Sequence, residues 1–238
     1  MEECHLILKF VDRVEELGAL SQLAKEGSPT PIYLYGPEGC GKTRLLKEFI
    51  KGFNGVGVYI DALEEHSARR VVTLSPTVKR VEEFLVSLAE ASTGHVGKWF
   101  TERAIAIIDK LALKCKLKDS NIVLVVDDIA KPIGLDRIEW YIKWLYENIW
   151  KLTEEYKPKS ILIIATTSEG KSLNLVLKHT YTQVRLIWNL SREAFHQLAE
   201  QLTPPSREHI EEAWRLTGGN PRKLIELAVN YKWDTRSW

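Results

Sequence analysis

The stretch YGPEGCGKTRLL, from Tyr35 to Leu46, sets three glycines, a lysine and a threonine between two apolar segments. Glycine is unfavourable inside a helix or strand, and it is used where the backbone turns tightly or approaches a ligand closely. The apolar segment PIYLY (31–35) predicts a strand before the glycines, and KTRLLKEFIKGF (42–53) predicts a helix after them. The sequence therefore predicts a glycine-rich loop that joins a strand to a helix.

The spacing within this loop fits the pattern G-x-x-x-x-G-K-[ST]. Such a loop wraps its backbone N–H groups around a phosphate chain, and the following helix points its positive end at the same anion. Lys42 is then expected to contact the β- and γ-phosphates as a catalytic residue, and Thr43 to bind Mg²⁺. The alternative is a glycine-rich turn without a ligand. The residues predicted to contact the nucleotide here are Gly36, Pro37, Glu38, Gly39, Cys40, Gly41, Lys42, Thr43 and Arg44.

A second motif ends an apolar run with two carboxylates, in IVLVVDD (122–128). Buried parallel strands end at the edge of the sheet where nucleotides bind. Asp127 is expected to hold Mg²⁺ through its water shell, and Asp128 to orient or deprotonate the attacking water. The alternative is that both acids cap the next helix or lie in a solvated loop.

Composition limits the classes of function that remain. The 238 residues carry a net charge of +1 with interleaved charges, so DNA as a partner has no support from charge. The longest apolar runs are far too short to span a membrane. Three scattered cysteines, Cys4, Cys40 and Cys115, argue against a disulfide framework or a zinc site, and they favour a reduced, cytoplasmic location.

Apolar runs alternate with helical patterns along most of the chain, which predicts an α/β fold with a mostly parallel sheet flanked by helices. Residues 1–190 are predicted to form this P-loop NTPase core, and residues 191–238, which hold only helical patterns, a small lid. Residues 64–76 read as irregular. Helices are predicted at 12–27, 42–53, 77–91, 99–116 and 136–156, and five strands at 31–36, 55–62, 121–128, 160–168 and 183–190.

From Phe10 to about Tyr231 the sequence resembles archaeal ATPases of the AAA+/STAND group of P-loop NTPases, with the domain plan of the origin-recognition ATPases. The opening FVDRVEEL (10–17) is similar to the first motif of these proteins. YGPEGCGKT (35–43) matches their Walker A motif and LVVDD (124–128) their Walker B motif. IIATTS (163–168) occupies the sensor-1 position, and TGGNPRKLIEL (217–227) resembles the lid motif.

This resemblance implies further site residues. Val11 would lie near the adenine, and Pro221, two residues after Gly219, would pack against the base. Thr167 would be the polar sensor-1 residue, and Arg222 would be the lid arginine that contacts the γ-phosphate. The chain departs from the pattern at Asp12, where glycine is usual, at Ser168, where STAND proteins commonly have arginine, and at Asp128, where many active enzymes have glutamate. We expect no winged-helix module after the lid, so a DNA-binding role borrowed from these proteins lacks its usual module.

The resulting hypothesis is a Mg²⁺-dependent ATPase, slow because the Asp128 side chain is short, that binds ATP and ADP and moves its lid or a partner. The alternative is a nucleotide-gated switch module with negligible turnover that binds a protein or nucleic acid. A small-molecule kinase is a third, weaker hypothesis. Trp140 and Trp144 fall opposite the apolar stripe of the helix at 136–156, which predicts a protein partner or self-association unless a neighbouring segment covers them.

Overall fold

A computed structural model describes residues 8–90 and 95–238 of the chain. Cys4 and Ala91, the last residue of one predicted helix, lie outside the described residues. The chain divides into two units. The larger unit comprises Glu15–Tyr35 and Leu45–Leu186, and the smaller comprises residues 8–14, Gly36–Arg44 and Ile187–Trp238. The predicted division into a core (1–190) and a lid (191–238) stays a prediction.

One sheet of six strands forms the centre of the larger unit, in the order β3-β2-β4-β5-β1-β6. All neighbours are parallel except β2 and β3, which run antiparallel. The central strands are buried on both faces, which explains why they are continuous apolar runs in the sequence. The strands are β1 (Ile32–Tyr35), β2 (Val56–Asp61), β3 (Val72–Leu74), β4 (Asn121–Asp127), β5 (Ser160–Thr167) and β6 (Gln183–Leu186).

The α/β fold and the mostly parallel sheet are confirmed, but the predicted count of five strands is wrong by one. The additional strand, β3, lies in a segment that reads as irregular because three residues are too few to show a period of two. Val72 and Leu74 are nevertheless buried. The Ser75 side chain fastens the segment to the start of β2, since its hydroxyl donates to the carbonyl of Gly55 and accepts from the N–H of Gly57.

The helices also correct the expectations in detail. The segment predicted as a helix over 77–91 begins as a 3-10 helix, Pro76–Val81, and the helix predicted over 99–116 is interrupted at Arg103, whose ψ of 17° leaves the helical region. A second 3-10 turn, Leu135–Arg137, precedes the long helix. The α-helices are α1 (Val14–Glu26), α2 (Lys42–Gly52), α3 (Ala68–Val71), α4 (Glu82–Glu90), α5 (Val96–Glu102), α6 (Ala104–Ala112), α7 (Ala130–Ile133), α8 (Ile138–Tyr156), α9 (Gly170–Val176), α10 (Arg192–Glu200), α11 (Arg207–Thr217) and α12 (Pro221–Asn230).

Helix α8 shows the predicted division into two faces, with one correction. Trp140 is exposed, with 54% of its surface accessible, as predicted. Trp144 is only half-buried and packs against the main core, because its ring lies 5.4 Å from that of Tyr141. The two tryptophan rings stack on each other with centroids 6.3 Å apart. The apolar stripe is buried as predicted: Ile138, Tyr141, Ile142, Leu145, Ile149 and Leu152.

The smaller unit has its own apolar core, to which α10, α11 and α12 contribute. Two of these helices start at side-chain caps: Ser191 accepts a hydrogen bond from the N–H of Ala194, and Asn220 accepts one from the N–H of Lys223. Such caps satisfy N–H groups that the first turn leaves without partners. Trp233 and Phe195 are buried in this core, so the three helices form a packed cluster.

Among the residues that the structure describes, none of the helices combines the length and the apolar character needed to cross a lipid bilayer.

Replacing Leu145 with alanine is expected to lower the free energy of unfolding by about 2–5 kcal/mol, because the Leu145 side chain is fully buried in the main apolar core. Lys143→Ala on the same helix is the matched control. It removes only an exposed ion pair with Glu147, whose expected worth is ~0.5 kcal/mol or less. Equilibrium urea unfolding measures both changes, and equal losses in the two variants would contradict the assignment of faces.

Candidate functional site

The glycine-rich loop, residues 36–43, connects β1 to α2 as the sequence predicts. Gly39 and Gly41 have φ angles of +79° and +99°, which side chains of L-residues rarely adopt. Helix α2 begins at Lys42, at the end of the loop. The backbone therefore makes the tight curl that a phosphate-binding loop requires, and it ends at the positive pole of a helix.

Two glycines of the loop leave no room for a side chain. A Cβ atom at Gly36 would collide with the carbonyl oxygen of Ile187, and one at Gly39 would lie 2.6 Å from Cβ of Arg222 and 2.9 Å from Oδ1 of Asn220. These neighbours belong to the smaller unit, as does the loop itself. The loop is thus held between the segment that follows β6 and the start of α12.

Lys42 is buried, and its ammonium group folds back across the loop. Its Nζ atom donates hydrogen bonds to the carbonyl oxygens of Gly36, at 2.8 Å, and Pro37, at 3.2 Å. A positive charge is therefore held inside the curl of the backbone. Thr43 and Arg44 are exposed on the first turn of α2, and Arg44 donates to the carbonyl of Leu8 at 3.3 Å.

Arg13 is a residue of this site that the sequence reasoning missed. It is buried and has a left-handed φ of 68°. One nitrogen of its guanidinium donates to the carbonyl oxygens of Cys40, at 2.8 Å, and Trp188, at 2.7 Å. The side chain thus ties the glycine-rich loop to the segment after β6. The motif FVDRVEEL contains Arg13, but no local pattern shows what its guanidinium contacts.

The start of α12 contacts the same loop. The side-chain amide of Asn220 donates to the carbonyl of Glu38 at 2.9 Å, and the backbone N–H of Arg222 donates to the carbonyl of Gly39 at 3.3 Å. Pro221 Cγ lies 3.9 Å from where a Cβ atom of Gly41 would be. The sequence reasoning named Pro221 and Arg222, but it missed Asn220, which is the residue that both caps α12 and holds the loop.

Val11, the residue expected near the adenine, is half-buried and packs against the core of the smaller unit together with Leu8. Its neighbour Asp12 has a left-handed φ of 54°, a backbone conformation that favours glycine. Asp12 accepts a hydrogen bond from Ser191 at 3.2 Å. The assignment of Val11 to the base stays a prediction.

In the larger unit, Asp127 is buried at the end of β4 between hydroxyl groups from both neighbouring strands. The phenol of Tyr59 on β2 donates to Oδ2 at 2.6 Å, and the hydroxyl of Thr166 on β5 donates to Oδ1. Lys47 lies over the ring of Tyr59 and forms an ion pair with Asp61 at 3.3 Å. The orientation of the Asp127 carboxylate is therefore fixed by neutral donors.

Asp128 follows directly, with a left-handed φ of 59°. Its backbone N–H donates to the hydroxyl oxygen of Thr166 at 2.9 Å, and the N–H of Ile129 donates to the carbonyl of Thr166 at 3.1 Å. The carboxylate is partly exposed. This backbone turn separates the two acids, so that Asp127 stays at the strand end while the chain turns away at Asp128.

Thr167, the predicted sensor-1 residue, makes a different set of contacts from those of Thr166. Its hydroxyl accepts from the N–H of Glu169 at 2.9 Å and from Ser172 at 3.3 Å, and Ser172 in turn accepts from Tyr33 at 2.8 Å. Burial raises the pKa of Tyr33 to about 12. Successive residues of a strand point to opposite faces. The catalytic assignment of Thr167 stays a prediction, and Thr166 is the threonine that contacts the acid pair.

The residues fit a nucleotide with Mg²⁺ in their chemistry. Gly39 and Gly41 curve the backbone through positive φ angles, and Lys42 supplies a cation that is hydrogen-bonded to carbonyls of the same loop. Thr43 in the smaller unit and Asp127 in the larger unit each carry oxygen atoms, the kind of donor that Mg²⁺ prefers. Among the described residues there is no cluster of three or more His, Cys, Asp or Glu side chains that could bind a metal by themselves. Mg²⁺ usually keeps several water ligands and binds through one or two carboxylates and the substrate phosphates, which such a sparse donor set suits.

Comparison with solved structures finds the same fold in proteins of low sequence identity. The ORC2 protein of Aeropyrum pernix, solved in ADPNP–ADP complexes, aligns with a TM-score of 0.54 and 13% identity over 98% of this chain and 66% of that chain. The FIGL-1 AAA domain in complex with ADP aligns with a TM-score of 0.51 and 14% identity over 92% of this chain and 69% of that chain. The chain thus spans about two thirds of the length of either protein.

A STAND protein with a tetratricopeptide repeat sensor from Pyrococcus horikoshii aligns with a TM-score of only 0.43 and 17% identity, over 92% of this chain and 30% of that chain. That score is too low to establish a shared fold, and the resemblance to STAND proteins stays a prediction. None of the curated proteins compared with the sequence matches it.

The amino-acid sequence also matches a protein family. Residues 10–227 match the family described as an ATPase domain predominantly from Archaea, a range that includes the glycine-rich loop, the acid pair and the start of α12. The chain therefore belongs to this family of ATPase domains.

Proposed function

We propose that the chain binds ATP with Mg²⁺ and hydrolyses it slowly. The observation that carries this proposal is the loop of residues 36–43, in which Gly39 and Gly41 take positive φ angles around the buried ammonium of Lys42. A loop of this shape at the start of a helix is suited to anions and to little else. Membership of an ATPase family narrows the anion to the phosphates of a nucleotide.

Lys42 would exchange the carbonyl oxygens of Gly36 and Pro37 for phosphate oxygens when ATP binds. A phosphate oxygen carries negative charge and a carbonyl oxygen only a partial one, so the ammonium group is attracted more strongly to the phosphate and the exchange is favourable. Thr43, exposed on the first turn of α2, would offer its hydroxyl to the metal. Mg²⁺, when bound, would neutralise the charge that develops on the phosphate oxygens.

Asp127 and Asp128 would have different roles in hydrolysis. Asp127 would contact the water shell of the metal, and the hydroxyls of Tyr59 and Thr166 hold its carboxylate in one orientation beforehand. Asp128 would orient or deprotonate the attacking water. Because aspartate is one methylene shorter than the glutamate that many active relatives carry, we expect turnover to be slow.

A switch module that binds ATP or ADP with negligible turnover is the second candidate. Asp128 also favours this candidate. The backbone N–H of Asp128 is held by Thr166, which limits how far its short side chain can advance. In either case the lid arginine, Arg222, would respond to the γ-phosphate, and Trp140 would offer an exposed contact for a protein partner. Phosphate release decides between the two candidates.

Lys42→Ala is expected to reduce phosphate release from ATP by about 100-fold or more, because the side chain stabilises transferring phosphate charge. A phosphate-release assay with Mg²⁺ measures this. Lys51→Ala is the matched control, since Lys51 lies exposed on the same helix and pairs with Glu48 in an i,i+3 contact. ATP binding by the wild type without any turnover that depends on Lys42 would favour the switch module.

Thr166→Val should lower kcat by about tenfold or more with little change in KM, because it removes the donor that orients Asp127 and the acceptor for the N–H of Asp128. Thr167→Val is the comparison on the same strand, with an equally buried hydroxyl. A larger loss of kcat in Thr167→Val, at equal thermal stability, would show that Thr167 is the catalytic threonine, as the family resemblance implies.

Arg222→Ala is expected to weaken the coupling between nucleotide state and lid conformation more than it weakens nucleotide binding, because the arginine contacts the γ-phosphate only while that group is present. Small-angle scattering profiles with ADP and with a non-hydrolysable ATP analogue should differ for the wild type and converge for the variant. Indistinguishable behaviour of the two proteins would remove the role proposed for Arg222.

A further inference from the structure

Arg222, the predicted lid arginine, is paired with a carboxylate of the chain itself. The carboxylate of Glu38 accepts a hydrogen bond from Nη1 of Arg222 at 2.7 Å, and the two groups form an ion pair. Glu38 lies within the glycine-rich loop, two residues after Gly36. The arginine that the resemblance assigns to the γ-phosphate is therefore paired with a carboxylate of the phosphate-binding loop.

The backbones on both sides of this pair are fixed. The N–H of Arg222 donates to the carbonyl of Gly39, and the side-chain amide of Asn220 donates to the carbonyl of Glu38. Arg222 also fills the space that a Cβ atom at Gly39 would need. The ion pair therefore forms between two chain segments that are already joined by hydrogen bonds, which reduces the entropy lost in bringing the side chains together.

The loop does not need a glutamate at position 38 in order to form. The pattern G-x-x-x-x-G-K-[ST] leaves that position open, and the Glu38 side chain is 74% exposed. Its carboxylate adds negative charge beside a site meant for an anion, which by itself weakens nucleotide binding. The effect of Glu38 on nucleotide binding is therefore best explained by its ion pair with Arg222.

We propose that Glu38 is a specificity-determining residue that holds Arg222 in the absence of a terminal phosphate. By doing so it lowers the affinity for ATP more than the affinity for ADP, and it thereby sets the ratio of the two. The inference rests on the proposed function. A γ-phosphate carries more charge and more acceptor oxygens than a carboxylate, so it takes the guanidinium from Glu38. ADP has no group that competes, and the Glu38–Arg222 pair persists. The chain thus binds ATP only after breaking this ion pair.

The test is a double-mutant cycle of binding affinities. Calorimetry gives the Kd of Mg-ADP and of a non-hydrolysable Mg-ATP analogue for the wild type, Glu38→Gln, Arg222→Ala and the double variant. Glu38→Gln should tighten binding of the ATP analogue by about two- to fivefold at low salt, as suits an exposed ion pair, and change ADP binding less. The gain should vanish in the Arg222→Ala background and shrink as added salt screens the pair.

Glu226→Gln is the matched control, because Glu226 lies on the same helix as Arg222 and pairs at 2.7 Å with Lys223, a residue of that helix and not of the loop. It should leave both affinities unchanged. Since Glu38, Arg222 and Glu226 are at the surface or at its edge, the variants are expected to keep the wild-type melting temperature, and a melting curve for each one verifies this.

Two results would overturn the inference while leaving the proposed function in place. Equal tightening of ADP and the ATP analogue in Glu38→Gln would mean that Glu38 merely repels phosphate. A gain that survives in the Arg222→Ala background would mean that the arginine has no part in it. A wild type that binds neither nucleotide would instead overturn the proposed function, and this inference with it.

Discussion

The constraint on which the site depends is steric: two positions of the glycine-rich loop have no space for a side chain. Gly36 lies against the carbonyl of Ile187, and Gly39 lies against Arg222 and Asn220. Because these neighbours approach so closely, the loop carbonyls can converge on the ammonium of Lys42, and Arg13 can reach the carbonyl of Cys40. The glycines are needed for the packing of protein against protein as much as for access to a phosphate.

The acid pair, Asp127 and Asp128, is likewise positioned by close neighbours, here on the adjacent strands of the sheet. Strand β4 lies between β2 and β5, and each neighbour contributes one hydroxyl to the carboxylate of Asp127. Tyr59 and Thr166 are neutral, so they fix the direction of the carboxylate without cancelling its charge. The same Thr166 also accepts the N–H of Asp128. One threonine thereby sets the geometry of two consecutive acids that we propose to have different tasks.

The features that could be predicted from the sequence are those that produce a local pattern of residues. The glycine spacing, the apolar runs of β1, β4 and β5, and the buried stripe of α8 all depend on residues close in sequence. Strand β3 could not be predicted, because it has three residues and is defined by its pairing with β2. Arg13, Asn220, Tyr59 and Thr166 were missed for a similar reason, since each acts on a residue distant in the chain. Trp144 was placed on the correct side of α8, but its cover comes from neighbouring aromatic rings.

The position of β1 in the sheet has a consequence for the order in which the chain can fold. Strand β1 lies between β5 and β6, and its residue Ile32 pairs with Ile164 on one side and Gln183 on the other. Both partners come late in the sequence, and closing such long loops must precede any gain from pairing. During synthesis, the strand that leads into the glycine-rich loop waits without partners until β5 and β6 have been made. Exposed apolar surface and unpaired strand edges favour aggregation, so this strand is the more vulnerable the longer it lacks its two neighbours.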